Sequence, residues 1–249
     1  MNRLLSLGCM LIASLGLFNA CEKDIMSYEQ DARAYFYERA NDLNKTRINS
    51  RKYTFLTLPQ SLDRDTVYIK VKIMGDTAAY DRYVIGKVIE EGSTAVEGED
   101  FNFIPGLVPA GSVEGNLAVV LYRTPKLKST NVQLNIAIGD SKDFKSGITE
   151  DSSFTLSWAD KLQQPDNWPL WYFGAYSDTK YQFVLDELKI ADFPSQLSPR
   201  LETQPGEFSI ADLQNFASIL RARLREVNEA NAGKPNYPLK DENGVLITF

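Results

Sequence analysis

The sequence predicts a mainly β protein, in which an antiparallel β-sandwich at residues 30–159 is followed by a smaller α+β domain at residues 160–249. Short apolar segments recur roughly every ten residues in the first part, and Gly, Pro and Asp separate them, as in β-sandwiches. Residues 66–74 alternate between apolar and polar side chains, which is typical of a sheet with one buried and one solvated face. In the second part, apolar residues at helical spacing predict one long amphipathic helix.

The predicted strands follow one another through the first domain. In the first of them, Tyr35 and Tyr37 face one side and Phe36 faces the other, because side chains alternate along a strand. The polar residues 41–50 are predicted to form a loop. The strands cover residues 31–39, 53–58, 66–74, 83–90, 116–123, 131–138 and 154–158.

Two helices are predicted in the second domain. The first begins at Ser177, and its apolar side chains recur at helical spacing, although residues 180–185 also fit a strand. The long helix begins at Ser209, where Asp212 completes a variant capping box and Phe208 forms a hydrophobic staple with Leu213. It extends to about residue 230. Its apolar stripe is expected to pack on the domain core and comprises Leu213, Phe216, Leu220, Leu224 and Val227.

A short last strand is predicted after the long helix. Gly233 ends the helix with a left-handed cap, because glycine adopts that conformation without steric cost. Residues 241–244 then form a tight turn. Residues 245–249 follow as the strand, with Ile247 and Phe249 facing inward.

The first thirty residues have the pattern of a targeting segment. Arg3 precedes an apolar run at residues 4–18, which is too short to span a bilayer and has the length of a signal-peptide core. The segment that ends in Cys21, with an alanine directly before this cysteine, resembles the lipobox of bacterial lipoproteins. We therefore expect a lipoprotein signal peptide at residues 1–20, lipidation at Cys21 and a polar tether at residues 21–29. A plain secretory peptide that is cleaved nearby is the alternative.

Composition excludes several classes of function. The chain has no histidine, and its two cysteines, Cys9 and Cys21, both lie in the targeting segment. Ser-His-Asp and Cys-His catalysis, zinc sites that need histidine or cysteine, and intrachain disulfides of the mature chain are therefore excluded. Carboxylate chemistry and calcium binding through oxygen ligands stay open. A net charge of −6 without a basic cluster argues against nucleic-acid binding, and the lipid is the expected contact with the membrane.

An aromatic segment follows the first domain and is a candidate sugar-binding platform. Flat ring faces can stack on the C–H faces of pyranose sugars. The candidate residues are Trp168, Trp171, Tyr172 and Tyr176. The alternative is that these rings seal the junction between the two domains, and this core interpretation is favoured for Trp171 and Phe173.

Several motifs together resemble a known family. Residues 94–101 (Thr-Ala-Val-Glu-Gly-Glu-Asp-Phe), followed by Pro-Ala-Gly and two alternating strands, resemble the Calx-beta type of immunoglobulin-like sandwich. With the lipobox, the Met-Gly-Asp after a strand and the Trp-Tyr-Phe-Gly-Ala-Tyr-Ser at residues 171–177, the chain more specifically resembles Bacteroidetes lipoproteins that carry domain of unknown function 4843. The resemblance implies a surface-exposed outer-membrane lipoprotein that captures nutrients. It provides no catalytic residues.

The resemblance also implies a calcium site, because Calx-beta sandwiches bind calcium through acidic loop residues. The candidate ligands are Glu97, Asp100, Asp140 and Asp143. The alternative is a solvated acidic loop, in which Asp100 accepts hydrogen bonds from the backbone of its own turn. No other cofactor is expected.

The sequence is compatible with three functions. The first is a non-catalytic accessory protein that binds polysaccharide or outer-membrane uptake proteins at the cell surface, and we expect no enzymatic activity. The second is an adhesin-like structural protein that docks other proteins, and the third is a carboxylate-based glycoside hydrolase. Exposed aromatic rings near Trp168 would favour the first function, whereas a buried Trp168 beside an exposed sheet edge would favour docking by strand addition. A deep cleft with facing carboxylates would favour the hydrolase.

Overall fold

The computed structural model describes residues 31–249. The predicted signal peptide, Cys21 and the tether lie outside the described residues. Among the helices of residues 31–249, none has the length and apolar character needed to cross a bilayer.

Nine strands form one large sheet in the order β10-β1-β5-β8-β7-β6-β9-β11-β4, and β2 and β3 form a small ribbon. Neighbouring strands of the large sheet are antiparallel, except that β1 pairs with β10 and β4 pairs with β11 in parallel. The strands are β1 (Arg33–Phe36), β2 (Glu38–Arg39), β3 (Arg47–Ile48), β4 (Ser50–Thr54), β5 (Arg64–Met74), β6 (Arg82–Ile89), β7 (Phe101–Val108), β8 (Glu114–Tyr122), β9 (Val132–Gly139), β10 (Lys145–Ser146) and β11 (Ser153–Ala159).

Strand β6 makes the sheet curl over on itself, because it changes partners halfway along its length. Residues 82–84 pair with β7, whereas residues 85–89 pair with β9. The two halves of the sheet therefore face each other and enclose a core. Across this core the ring centroids of Phe36 and Phe154 lie 5.8 Å apart. The predicted mainly β fold is confirmed.

The alternation in β5 produces the buried face that the sequence predicts. Four apolar side chains on one face of this strand have between 0 and 6% of their surface exposed, and they are Val67, Ile69, Val71 and Ile73. Burying such a side chain contributes roughly 1.5–3 kcal/mol. Together with side chains from the facing half of the sheet, they form what we call the sheet cluster.

Three helices lie after the sheet: α1 (Leu170–Phe173), α2 (Asp178–Leu188) and α3 (Ile210–Ala230). Ser177 caps α2 by accepting a hydrogen bond from the Lys180 backbone, so the helical interpretation of this segment is confirmed over the strand. Ser209 and Asp212 form the predicted capping box at the start of α3. Apolar side chains of the three helices and the segments between them form a second core, which we call the helical cluster.

Several details differ from the predictions. Strand β4 ends at Thr54 and does not extend to residue 58, and the predicted loop at residues 41–50 contains β3. Strand β7 was not predicted, because its alternation is interrupted by a bulge at residues 104–107. The predicted last strand at residues 245–249 is wrong, since this segment makes one isolated bridge to Lys240.

The missing last strand changes the class of the second part. Val245 and Leu246 are 62% and 54% exposed, and no described strand lies beside them to complete a ladder. Ile247 is nevertheless buried, as predicted. The described part after residue 160 is thus α-helical with irregular segments, and the predicted α+β class is wrong for it. Leu56 from the sheet region packs into the helical cluster. The division into two domains stays a prediction.

Candidate functional site

A cleft of about 1840 Å³ lies between strand β4 and the segments that surround α1. One wall is formed by residues 38–41, residues 47–54 and the start of β5. The other wall is formed by residues 163–172 and residues 189–197. The cleft is larger than a typical small-molecule pocket of roughly 300–1,000 Å³, so it has room for an extended ligand.

Trp171 projects from α1 at the rim of this cleft. Its side chain is 94% exposed, and that of the neighbouring Leu170 is 56% exposed, whereas Phe173 in the same helical turn is fully buried. A tryptophan that keeps nearly all of its surface in water forgoes most of the stabilisation that its burial would provide. The exposed ring therefore makes this rim a candidate contact site for another molecule.

Buried side chains fix the turn that carries Trp171. The Trp168 Nε1 donates a hydrogen bond of 2.9 Å to the Gly174 carbonyl, and the Lys180 Nζ donates one of 2.9 Å to the Phe173 carbonyl. Lys180 is itself buried, and this burial lowers the pKa of its ammonium group. Gly174 has φ of +72°, a conformation that favours glycine. These contacts hold α1 in place, so Trp171 is presented on a preorganised support.

Trp168 is the centre of an aromatic cluster beneath the cleft. Its ring packs edge-to-face on Phe173, Tyr176 and Tyr181 at centroid distances of 5.4, 5.3 and 5.8 Å. Tyr176 donates a hydrogen bond to Asp178. Burial raises the pKa of its phenol most, and this hydrogen bond raises the pKa further. Trp168 and Tyr176 therefore support the site, and Trp171 is the ring that faces outward.

Most basic side chains of the cleft are paired with carboxylates. Arg51 lies 2.6 Å from Glu38, and Lys52 lies 2.8 Å from Asp166. Arg39 and Arg47 both contact the buried carboxylate of Asp151, at 2.8 and 2.7 Å. A set of paired charges attracts neither a polyanion nor a polycation strongly. The cleft therefore presents mainly hydrogen-bonding groups and apolar surface to a ligand.

Asp192 is the carboxylate of the cleft with a perturbed pKa. The side chain is exposed at the surface of the cleft, but the surrounding walls desolvate it and raise the pKa of its carboxyl. A hydrogen bond with Asn167 and the charge of Arg51 act in the opposite direction. Asp192 thus remains a hydrogen-bonding group in the wall.

The open edge of β4 is partly covered by the wall of the cleft. The Lys52 backbone N–H donates to the Asp166 carboxylate at 3.0 Å, and Gln163 donates to the Tyr53 carbonyl at 3.1 Å. These side chains thus form hydrogen bonds with backbone groups that an added strand would need for pairing. Such covering protects an edge strand against pairing with another chain.

The structure separates the predicted sugar-binding residues. Trp168, Trp171 and Tyr172 line the cleft, whereas Tyr176 packs behind Trp168 and does not. The core interpretation is confirmed for Phe173 and is wrong for Trp171, because Trp171 is almost fully exposed. Sequence reasoning missed the polar part of the cleft, which includes Glu38, Arg51, Asp166 and Asp192, and it also missed Tyr68.

The predicted calcium ligands have other partners or remain in solvent. Asp100 is fully buried, and its Oδ2 accepts hydrogen bonds from the Val96 backbone at 2.9 Å and from Lys126 Nζ at 2.7 Å. Glu97 is exposed, and Asp143 accepts from a backbone N–H. Asp140 lies 3.5 Å from a lysine. Within residues 31–249, no group of three or more Asp, Glu, His or Cys side chains is placed to hold a metal ion, so the geometry gives the calcium prediction no support.

Comparison with known proteins identifies the family. The sequence profile of the family described as domain of unknown function (DUF4843) matches residues 28–190. The chain belongs to this family. The search of curated proteins found no match. The predicted likeness to Calx-beta domains stays a prediction.

Several solved structures share a weak likeness with the chain. A two-domain protein of unknown function from Bacteroides fragilis is 16% identical over 53% of this chain and 46% of its own, with a TM-score of 0.36. A Bacteroides ovatus protein described as a candidate carbohydrate-binding protein is 12% identical over 53% and 38%, with a TM-score of 0.36. Another Bacteroides ovatus protein of unknown function is 11% identical over 50% and 43%, with a TM-score of 0.35. The chain spans less than half of each of these structures.

Proposed function

We propose that this chain is a non-catalytic, lipid-anchored protein of the outer membrane that binds polysaccharide at the cell surface through the cleft. The observation that carries the proposal is the 94% exposure of Trp171 on a turn that buried side chains hold in place. An aromatic ring on a rigid support can stack on a pyranose without a large loss of conformational entropy on binding.

The paired charges of the cleft also support this function. A sugar polymer offers many hydroxyl groups and few charges, so it suits walls in which carboxylates and basic groups neutralise one another. The protein would serve as an accessory that holds polysaccharide for outer-membrane uptake proteins. The same pairing favours binding over hydrolysis, since Glu38 and Asp166 each contact a basic side chain.

Docking of a protein partner by strand addition is less favoured. The buried Trp168 agrees with the docking hypothesis, but the edge of β4 that a partner strand would use is partly covered by Asp166 and Gln163. The polysaccharide proposal accounts for the exposure of Trp171, which strand addition at β4 does not.

Affinity electrophoresis in native gels that contain different polysaccharides tests the proposal. We expect one or more polymers to retard the lipid-free mature protein, and Trp171→Ala to weaken the binding by about tenfold or more, because a stacked tryptophan is a common hot spot. Tyr80→Ala is the matched control, since Tyr80 is 63% exposed and does not line the cleft. Retardation that is equal for the two variants, or that occurs with no polymer, would refute the proposal. Release of new reducing ends from a retarding polymer would instead favour a hydrolase.

The membrane anchor requires its own test in cells. We expect the wild-type chain to incorporate radiolabelled palmitate and to be removed from intact cells by an added protease. Cys21→Ser should abolish labelling, because the thiol is the predicted site of lipidation. Labelling that persists in Cys21→Ser would refute the anchor, and resistance to protease would place the protein on the inner face of the membrane.

A further inference from the structure

We infer that the ligand is an extended internal segment of a neutral polysaccharide, which runs from the cleft across Tyr68 into a second groove on the outer face of the sheet. This inference rests on the proposed function and specifies the class of polysaccharide. The observation behind it is that Tyr68 lines both the cleft and the second groove.

The second groove has a volume of about 490 Å³ and lies over strands β5, β8 and β7. Tyr68 on β5 and Ile104 on β7 are both paired with Ala118 on β8. Directly paired residues project to the same face of a sheet, so Tyr68 and Ile104 form two sides of the groove and the small Ala118 forms its floor. Tyr68 is 60% exposed, and its ring is available for contact.

The bulge in β7 shapes the far end of this groove. The pairing with β8 shifts between Ile104 and Leu107, where Pro105 and Gly106 interrupt the strand. A Cβ atom at Gly106 would lie 2.2 Å from the Asn116 carbonyl oxygen, so the two backbones approach more closely than any other residue allows. A bulge bends a strand locally. Ile104 and Leu107 remain 47% and 41% exposed beside it.

Charge pairing indicates that the ligand is neutral. Four of the five basic side chains that line the cleft lie within ion-pair distance of a carboxylate. Beside the groove, Lys72 lies 3.4 Å from Glu114, and the Arg39 and Lys72 cations also lie over the Tyr37 ring. Lys70 lines the groove itself and is not within ion-pair distance of a carboxylate of residues 31–249. A polymer of uronic acids or sulfated sugars would find few unpaired cations along this path. The hydroxyl groups and C–H faces of a neutral polymer suit this path better.

The size of the path indicates that several sugar units bind together. The cleft alone exceeds the volume of usual small-molecule sites, and the groove extends it past Tyr68. Both are open surface features, so a chain can lie across them without placing one of its ends inside. Affinity should therefore increase with chain length, up to the length at which the chain also contacts Tyr68 and the second groove.

The test measures the affinity of neutral di-, tetra- and hexasaccharides by calorimetry, beginning with cello-, malto-, laminari-, xylo- and manno-oligosaccharides. We expect the hexasaccharide of one series to bind about threefold to tenfold more tightly than the tetrasaccharide, and Tyr68→Ala to remove this increment while the affinity for the short sugar stays unchanged. Trp171→Ala should weaken the binding of every length. Tyr80→Ala serves as the control, and thermal melting verifies that each variant folds.

The outcomes separate this inference from the proposed function. If short and long oligosaccharides bind equally and Tyr68→Ala has no effect, the extended path is refuted while polysaccharide binding stands. If a carboxymethylated or sulfated form of the same polymer binds more tightly than the neutral form, the neutral class is refuted. If no oligosaccharide and no polymer binds, both this inference and the proposed function are refuted.

Discussion

The sheet cluster and the helical cluster are built in different ways. In the sheet cluster, six of the 22 buried residues are aromatic, and most of the others are aliphatic side chains on alternating strand positions. In the helical cluster, five of the 12 buried residues are aromatic, and two of them, Trp168 and Phe193, lie on irregular segments. The first core depends on strand periodicity, and the second depends on edge-to-face contacts between rings.

The two regions also satisfy their backbone groups differently. Strands bond one another through the sheet ladder, so their side chains are free to pack. Around α1, by contrast, buried side chains hold the backbone directly: Trp168 donates to Gly174, Lys180 donates to Phe173, and Tyr181 donates to Ala191. An irregular segment that is fixed in this way can present an exposed ring in a defined orientation. The candidate site therefore lies where the irregular segments around α1 meet strand β4 at the edge of the sheet.

Trp168→Ala gives the largest expected loss of stability in the helical cluster. The side chain is 7% exposed and contacts four aromatic rings, so its removal leaves a cavity and frees the Gly174 carbonyl. We expect the free energy of unfolding to fall by about 3–5 kcal/mol. Urea unfolding, followed by far-ultraviolet circular dichroism, measures this change.

Trp171→Ala is the matched comparison for that experiment. This tryptophan lies three positions further along the chain and is 94% exposed, so its removal should change the free energy of unfolding by less than about 0.5 kcal/mol. A loss of several kcal/mol in Trp171→Ala would show that its ring is packed in solution. The contrast between a supporting and a ligand-binding tryptophan would then fail.

Asp160→Ala tests the point where the chain leaves the sheet. The Asp160 carboxylate accepts two hydrogen bonds from Arg123, at 2.7 and 2.9 Å, and both side chains are nearly fully buried. Removing one partner leaves a buried charge without compensation, which costs about 3 kcal/mol or more. The double variant Arg123→Met, Asp160→Leu should recover much of this loss in urea unfolding. A double variant that is as unstable as Asp160→Ala would show that the pair contributes more than the neutralisation of its charges.

Sequence periodicity predicted the regular elements of both regions, because each of these elements carries its signal locally. Strand β5 and helices α2 and α3 were predicted from alternation, helical spacing and capping residues. Strand β7 was missed because Pro105 and Gly106 interrupt its alternation at the bulge. The last strand was predicted in error because a strand also needs a neighbour, and the chain pattern does not show whether one lies beside residues 245–249.

The candidate site was less predictable, since it depends on contacts between distant residues. Trp168 and Trp171 lie on either side of Pro169 in similar sequence surroundings, and their burial differs because Lys180 and Tyr181 fix the turn from α2. Tyr68 lies on the polar face of β5, as its alternation predicted. Its position between the cleft and the second groove depends on the bulge in β7. The local sequence pattern did not predict this bulge, so it could not predict the position of Tyr68 either.

Alkaline pH should destabilise the helical cluster in particular. Burial raises the pKa of Tyr176 and of Tyr181 in this cluster, and that of Tyr53 at the edge of the sheet. Above about pH 10 the unfolded chain loses these protons while the folded chain keeps them, so stability falls by at most about 1.4 kcal/mol per pH unit for each tyrosine. Lys180 acts in the opposite sense, because its lowered pKa makes stability rise with pH until about pH 10.5.

Urea unfolding between about pH 9 and about pH 11.5 measures this dependence. Tyr181→Phe should make the fall above pH 10.5 shallower by the contribution of one proton. Tyr80→Phe is the control, since that side chain is exposed and lies outside both clusters. An unchanged slope in Tyr181→Phe would show that the phenol ionises equally well in the folded protein.

Ser209→Ala tests whether the start of α3 is specified locally. Ser209 Oγ accepts from the Asp212 backbone at 3.1 Å, and the Ser209 backbone donates to the Asp212 carboxylate at 2.9 Å. The Ser209 hydroxyl also donates to this carboxylate at 2.7 Å, and the hydrogen bonds from the hydroxyl and the backbone lower the pKa of the Asp212 carboxyl. Loss of the cap should cost about 1 kcal/mol in urea unfolding, whereas Ser209→Gly should cost only a few tenths of that. An unchanged free energy of unfolding in Ser209→Ala would indicate that the hydroxyl is not the capping group. Because the cap is independent of the aromatic contacts, Ser209→Ala should leave polysaccharide binding unchanged, unlike Trp168→Ala.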